Sequence, residues 1–173
     1  SFSKDRKPEP SPSDIPALLA EIVEIVKQRA EDAGISLHCT APDNFPVILC
    51  DNEALSRAIL NVVTNAIDAV EEQADGTVDI ATEIDGEREV VRVRVTDNGP
   101  GIPAETLPHI FNLFVSTKGA KGTGLGITVS QKILREHGGS ISAESTADHG
   151  TCFTLSFPLL LSDQTARSEE RRV

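Results

Sequence analysis

The sequence contains no tryptophan, tyrosine or methionine, and it has few cysteines and few basic residues. The three cysteines, Cys39, Cys50 and Cys152, are an odd number without metal-ligand spacing, so we expect a reduced, cytosolic domain. The 16 Lys and Arg are outnumbered by 27 Asp and Glu, which gives a formal net charge of -11. Nucleic-acid-binding proteins usually present a basic face, so this composition argues against a nucleic-acid partner.

The sequence also lacks a long apolar run and a signal peptide. No stretch approaches the length of a membrane span. We therefore expect a cytoplasmic fragment that makes no membrane contact itself. Because the chain begins with Ser1 rather than Met, we expect it to be part of a longer protein, and any membrane anchor would lie outside these residues.

Proline content and charge divide the chain into one domain and two tails. Residues 1–13 are rich in proline and charge and are predicted to be a linker. Residues 14–160 are long enough for one domain with a hydrophobic core. Residues 161–173 are predicted to be a flexible C-terminal tail.

The hydrophobic pattern of the predicted domain indicates an α+β fold. Apolar residues recur with the helical period in three segments, which are residues 14–32, 51–72 and 123–136. Strand-like segments lie between and after them, at residues 35–40, 47–50, 77–84, 89–96, 140–145 and 151–158. This order predicts a two-layer α/β sandwich, with three main helices on one face of a mixed sheet of about five strands.

Two asparagines lie one turn apart on the second predicted helix. Asn61 and Asn65 share a polar stripe with Asp68 and Glu72, and the opposite side of the helix is apolar. Such a stripe is commonly a solvated helix face. Asparagine is a modest helix former, however, and its amide oxygen is a suitable ligand for Mg²⁺. The stripe alone leaves both interpretations open.

A carboxylate and two glycines follow the strand predicted over residues 89–96. Asp97 precedes Gly99, Gly101 and Ile102, and these residue types are typical of a tight turn. The same residues could instead bind adenine. Asp97 would accept a hydrogen bond from the adenine amino group, the glycines would let backbone approach the ring, and Ile102 would form an apolar wall.

Glycines also open the third predicted helix. Gly122, Gly124 and Gly126 lie where free backbone N–H groups and the helix dipole favour phosphate. The pattern is weak evidence alone, because it matches neither a phosphate loop nor a dinucleotide-binding βαβ unit. Lys118 and Lys121, just upstream, would supply positive charge to a triphosphate, although lysines are commonly ordinary surface residues.

Together these residues resemble the ATP-binding domain of bacterial sensor histidine kinases, which belongs to the superfamily of gyrase, heat-shock chaperone and MutL-type ATPases. The resemblance covers residues 14–158, and within the family this stretch resembles the nitrogen-regulatory branch. It implies the Bergerat ATP-binding fold, with ATP and Mg²⁺ as cofactors. It also implies transfer of the γ-phosphoryl group of Mg-ATP to a histidine on a separate dimerisation domain, then to an aspartate of a response regulator. Residues 1–13 would be the tail of that dimerisation region.

The resemblance also implies individual roles. Asn65 would bind Mg²⁺, Asn61 would lie near the phosphates, and Asp97 would bind the adenine amino group. The other ATP-binding residues that it implies are Gly99, Gly101, Ile102, Lys118, Gly122, Thr123, Gly124, Leu125, Gly126 and Thr151. Phe111 and Phe114 match the family's phenylalanine motif, as core contacts or as a docking surface for a mobile lid.

Two departures separate branches of the superfamily. Hydrolysing members carry Glu where this chain has Asn61, and an amide cannot act as a base, so no catalytic residue is assigned here. This favours a histidine kinase over a hydrolytic ATPase or chaperone-like clamp. Asp68 and Ala69 replace the basic and aromatic residues of many sensor kinases. A degenerate kinase that only docks partners is the alternative from a different class.

Overall fold

Strands with alternating apolar and polar residues form the main sheet. Helices with one apolar face pack against it. The computed structural model describes residues 7–112 and 125–162. In chain order, the elements are β1 (Ser11–Ser13), α1 (Ile15–Asp32), β2 (Ser36–Thr40), β3 (Ile48–Cys50), α2 (Asn52–Val70), β4 (Thr77–Asp85), β5 (Val90–Asp97), α3 (Leu125–Glu136), β6 (Ser140–Thr146) and β7 (Gly150–Pro158). A short 3₁₀ turn, Leu107–His109, follows β5.

The main sheet has five strands in the order β2-β4-β5-β7-β6. The pairing of β2 with β4 is parallel, and the other three pairings are antiparallel. On β5, Val91, Val93 and Val95 are buried towards the helices, whereas Arg92 and Arg94 lie on the other face with acidic residues of β4. The predicted sandwich of three helices and a mixed five-stranded sheet is confirmed.

The first two helices begin directly after aspartates that cap them. The Asp14 carboxylate accepts a hydrogen bond from the backbone N–H of Ala17 at 2.9 Å, and the Asp51 carboxylate accepts one from Ala54 at 3.1 Å. Each bond satisfies a backbone donor that the first helical turn leaves free. The start predicted for the third helix, residue 123, lies outside the described residues.

A second, small sheet has two strands, β1 and β3. Strand β1 pairs with β3 in antiparallel fashion, and Ile48 also forms a bridge with Leu161. The predicted linker of residues 1–13 therefore ends in a strand. The predicted tail of residues 161–173 likewise begins with a strand contact. None of the helices in the described ranges is both long enough and apolar enough to cross a membrane.

Candidate functional site

Asp97 is a buried carboxylate at the end of β5. Only 5% of the residue is exposed, and one carboxylate oxygen accepts the backbone N–H of Gly99 at 2.8 Å. The backbone N–H of Thr151, on the neighbouring strand β7, also donates to this carboxylate. Burial raises the pKa of Asp97, and the two N–H donors oppose that shift in part. A buried carboxylate has four acceptor positions, so it can accept further hydrogen bonds from a ligand.

The turn after Asp97 is packed tightly between α2 and β6. A Cβ on Gly99 would lie 3.0 Å from the carbonyl oxygen of Ala69, so the turn contacts the last part of α2. Gly101 has a φ of +78°, and a Cβ there would overlap the carbonyl of Thr146. Close packing against the protein itself therefore requires glycine at this position. Ile102, the predicted apolar wall, follows directly and is half-buried.

One serine connects this turn to β7. The Ser145 hydroxyl accepts the backbone N–H of Ile102 at 2.7 Å and lies 2.8 Å from the Thr151 hydroxyl. It also donates to the carbonyl of Gly150 at 2.9 Å. Sequence analysis missed Ser145. Its signal was the alternation along β6, which places it on the inward face with Ile141 and Ala143.

The two asparagines of α2 have different surroundings. The Asn61 amide nitrogen donates to the carbonyl of Gly126 at 3.3 Å, which joins the middle of α2 to the beginning of α3. Asn65, one turn later, is half-buried. Within the described ranges no hydrogen-bond partner is found for the Asn65 side chain. Towards the described part of the chain, its amide therefore keeps its hydrogen-bonding capacity for a ligand or for water.

Acidic residues at the end of α2 and directly after it form ion pairs with α1. The Arg29 guanidinium donates to Asp68 and also to Glu71, the latter at 2.8 Å. The hydrogen bond that Arg29 donates to Asp68 is the main cause that raises the pKa of Arg29. Asp68 shares the helix stripe with the asparagines, yet it is half-buried in this ion-pair cluster. The stripe therefore has two parts, the amides of Asn61 and Asn65 and, one turn further on, the carboxylate of Asp68 paired with Arg29.

Much of the predicted phosphate loop falls outside the described residues. These positions are Lys118, Lys121, Gly122, Thr123 and Gly124, and Phe114 of the predicted phenylalanine motif also lies outside the described residues. Leu125 is the first described residue of α3, and Gly126 packs against Asn61. Phe111 is half-buried and packs against the hydrophobic core. The roles predicted for the lid residues stay predictions.

His137, immediately after α3, makes hydrogen bonds through both ring nitrogens. Its Nε2 accepts the backbone N–H of Asp51 at 3.2 Å, so its Nδ1, 2.9 Å from the Ile133 carbonyl, carries the hydrogen. The imidazole thus connects the end of α3 to the beginning of α2. This agrees with a structural role at a helix end rather than with a phosphate acceptor.

Comparison with known proteins identifies the family. Residues 50–161 match the family model described as histidine kinase-, DNA gyrase B- and HSP90-like ATPase. The chain belongs to this ATPase family. The matched residues include the asparagine stripe, the Asp97 turn and Thr151. The resemblance predicted from the sequence is confirmed.

Curated relatives place the chain near sensor kinases within the family. It is 36% identical over 146 residues to the sensor histidine kinase ZraS of Escherichia coli, which covers 84% of this chain and 30% of that protein. It is 37% identical over 153 residues to the sensory histidine kinase/phosphatase NtrB of Vibrio alginolyticus, which covers 82% of this chain and 43% of the relative. The NtrB match confirms the predicted similarity to the nitrogen-regulatory branch. The chain spans less than half the length of either relative.

Solved structures share the fold. Full-length ShkA in complex with AMPPNP superposes with a TM-score of 0.81 and 29% identity, over 91% of this chain and 33% of that one. The histidine kinase ThkA, in complex with the response regulator TrrA, gives a TM-score of 0.76 and 28% identity, over 91% of this chain and 44% of that one. The chain therefore has the fold that these histidine kinases contain.

Proposed function

We propose that this chain is the ATP-binding catalytic domain of a two-component sensor histidine kinase. It would transfer the γ-phosphoryl group of Mg-ATP to a histidine on a separate dimerisation domain. The observation that carries the proposal is the buried carboxylate of Asp97 beside the turn formed by residues 98–102, within a chain of this ATPase family. The sensor kinases among its relatives support the type of reaction.

The Asp97 pocket has the chemistry to recognise adenine. Two backbone N–H groups fix the carboxylate, and its remaining acceptor positions suit the exocyclic amino group of the base. Ile102 would cover one side of the ring. The complex of ShkA with AMPPNP supports a nucleotide as the ligand.

The α2 stripe fits Mg²⁺ as the second cofactor. Among the described residues, no cluster of three or more His, Cys, Asp or Glu side chains could hold a metal ion. Mg²⁺ does not need such a cluster, because it usually takes one or two protein ligands and completes its shell with water and phosphate oxygens. The Asn65 amide oxygen would be that protein ligand, and the bound ion would neutralise phosphate charge.

The Asn61 amide favours transfer over hydrolysis. An amide cannot remove a proton from water, so this side chain does not activate a hydrolytic nucleophile. It instead donates to the Gly126 carbonyl and holds the start of α3 near the site. Lys118, Gly122, Thr123, Gly124 and Leu125 would complete the phosphate contacts. Catalysis would then consist of positioning and charge neutralisation, with the acceptor histidine supplied by the partner domain.

The proposed partners follow from the same reaction. The acceptor would be a histidine-bearing dimerisation domain of the parent protein, and the next acceptor an aspartate of a response regulator. The complex of ThkA with TrrA supports the second partner. Neither nucleic acid nor membrane contact is proposed for this fragment. The fragment is proposed to act in the cytoplasm, and any membrane anchor would belong to other parts of the parent protein.

A phosphotransfer assay tests the proposal. The chain is mixed with γ-labelled ATP, Mg²⁺ and the dimerisation domain of its parent protein. We expect acid-labile, base-stable label on the dimerisation domain. Asn65→Ala should abolish this label by removing the metal ligand, whereas Glu53→Ala, exposed near the start of the same helix, should retain it. Steady phosphate release without label transfer would instead show a hydrolytic ATPase. Absence of ATP binding at millimolar concentration would show a non-catalytic module.

A further inference from the structure

Ser145 is the centre of a hydrogen-bond cluster that the proposed reaction does not explain. Its hydroxyl oxygen lies 2.7 Å from the backbone nitrogen of Ile102, 2.9 Å from the Gly150 carbonyl oxygen and 2.8 Å from the Thr151 hydroxyl oxygen. The cluster joins the turn after β5 to β6 and β7. A hydroxyl can donate one hydrogen bond and accept two, so these contacts use its full capacity.

Counting hydrogens fixes the direction of each bond. The Ile102 N–H must donate to Ser145, and the Gly150 carbonyl must accept from Ser145. The single Ser145 hydrogen is then committed to Gly150. The contact between Ser145 and Thr151 therefore needs the hydrogen of the Thr151 hydroxyl. With that hydrogen turned towards Ser145, Thr151 offers other partners its lone pairs alone.

Thr151 and Asp97 lie side by side. They are directly opposed across β5 and β7, so both side chains are on the same face of the sheet. Both are buried, with 7% and 5% of their surface exposed, respectively. The Thr151 N–H donates to the Asp97 carboxylate. A ligand at Asp97 thus meets a carboxylate and a hydroxyl that are both acceptors.

We propose that Ser145 is a positioning residue that sets base selectivity in the nucleotide pocket. By holding the Thr151 hydrogen, it makes the pocket wall beside Asp97 an acceptor surface. A 6-aminopurine presents N–H donors to this surface. A 6-oxopurine carries its hydrogen on N1 and places a carbonyl oxygen where the amino group would be, so acceptors face one another at that position without a hydrogen between them. This inference rests on the proposed function, since it concerns the base of the same nucleotide.

The test compares ATP with inosine triphosphate, which carries a carbonyl oxygen in place of the 6-amino group and a hydrogen on N1. Affinities of both nucleotides are measured by calorimetry with Mg²⁺ for the wild type, Ser145→Ala and Ser145→Thr. In Ser145→Ala the Thr151 hydrogen is free to turn towards a 6-oxo group. We expect the preference for ATP over inosine triphosphate to fall roughly tenfold. Ser145→Thr keeps the hydroxyl and should restore the preference.

The control is Ser142→Ala, on the exposed face of the same strand, which should leave the preference unchanged. An unchanged preference in Ser145→Ala, or an equal loss of affinity for both nucleotides, would overturn the proposal and leave a structural role. If Ser145→Ala does not fold, Ser145→Cys takes its place, because cysteine has a similar size but is a weak donor and acceptor. The same ratio of affinities for ATP and inosine triphosphate then decides. A wild type that binds neither nucleotide would instead refute the proposed function.

Discussion

Replacing Asp97 by asparagine is predicted to separate nucleotide binding from folding stability. The Gly99 N–H keeps its acceptor, because the amide oxygen can take the place of one carboxylate oxygen. The amide nitrogen is a donor, so it cannot accept a hydrogen bond and faces either the Thr151 N–H or the N–H of the ligand. A hydrogen bond to a charged group contributes about 1.5–3 kcal/mol. The expected loss of ATP affinity is therefore about 10- to 150-fold.

Folding stability should change in the opposite direction. Burial raises the pKa of Asp97 above its ordinary value of 3.8, so the folded protein holds this proton more strongly than the unfolded chain does. The stability linked to that proton is present below the ordinary pKa and is lost as the pH rises through the raised pKa. At pH 7 the buried charge detracts from stability. Asp97→Asn, which carries no charge, should melt at the same temperature or higher.

Two measurements check this prediction. Calorimetric titration with ATP and Mg²⁺ gives the affinity, and thermal melting between pH 7 and pH 4.5 gives the stability. The difference in melting temperature between variant and wild type should shrink as the pH falls towards the ordinary carboxyl pKa. Asp79→Asn, exposed on β4, is the matched control and should bind ATP normally. A lower melting temperature for Asp97→Asn at pH 7, or unaltered affinity, would refute the reasoning.

Two further predictions concern stability. Gly150→Ala should cost at least about 2 kcal/mol, because the residue has a φ of +88° and a Cβ would overlap the Asp97 carbonyl. Chemical denaturation should show almost no change for Gly86→Ala, which has open space around the added carbon, and equal costs would contradict the argument. Arg29→Ala should cost about 1 kcal/mol, since Asp68 loses its partner but the arginine is 39% exposed and screened. The difference should shrink in high salt, and a salt-independent cost would point to lost packing instead.

The helices and most strand positions could be predicted from local patterns, but the strand order could not. The helical period of apolar residues predicted α1 and α2 because it depends on nearby residues alone, and an aspartate caps the beginning of each helix in the structure. The insertion of β7 between β5 and β6, and the parallel pairing of β2 with β4, depend on contacts between distant segments. Alternation along one strand does not specify its neighbours.

The candidate site shows the same limit. Asp97 and the asparagines stood out because each belongs to a short local pattern, a carboxylate followed by glycines and two amides one helical turn apart. Ser145 did not, since its importance depends on the register that places it beside Thr151. Asp68 was predicted to share the polar stripe, but its pairing with Arg29 follows from the packing of α1 on α2, 39 residues away in sequence.

Helix α2 explains how a chain of net charge -11 can present a surface suited to an anionic nucleotide. Its middle carries amides, and Asn61 holds the start of α3 through the Gly126 carbonyl. Its end carries acids, but Arg29 neutralises part of that charge. Packing of α2 on β5 sets the separation between the amides and the Asp97 carboxylate, which contacts the base rather than the phosphates in the proposed complex. The charge beside Asn65 is therefore less negative than the composition indicates. A triphosphate with its Mg²⁺ needs such a reduced negative charge, because it is itself an anion.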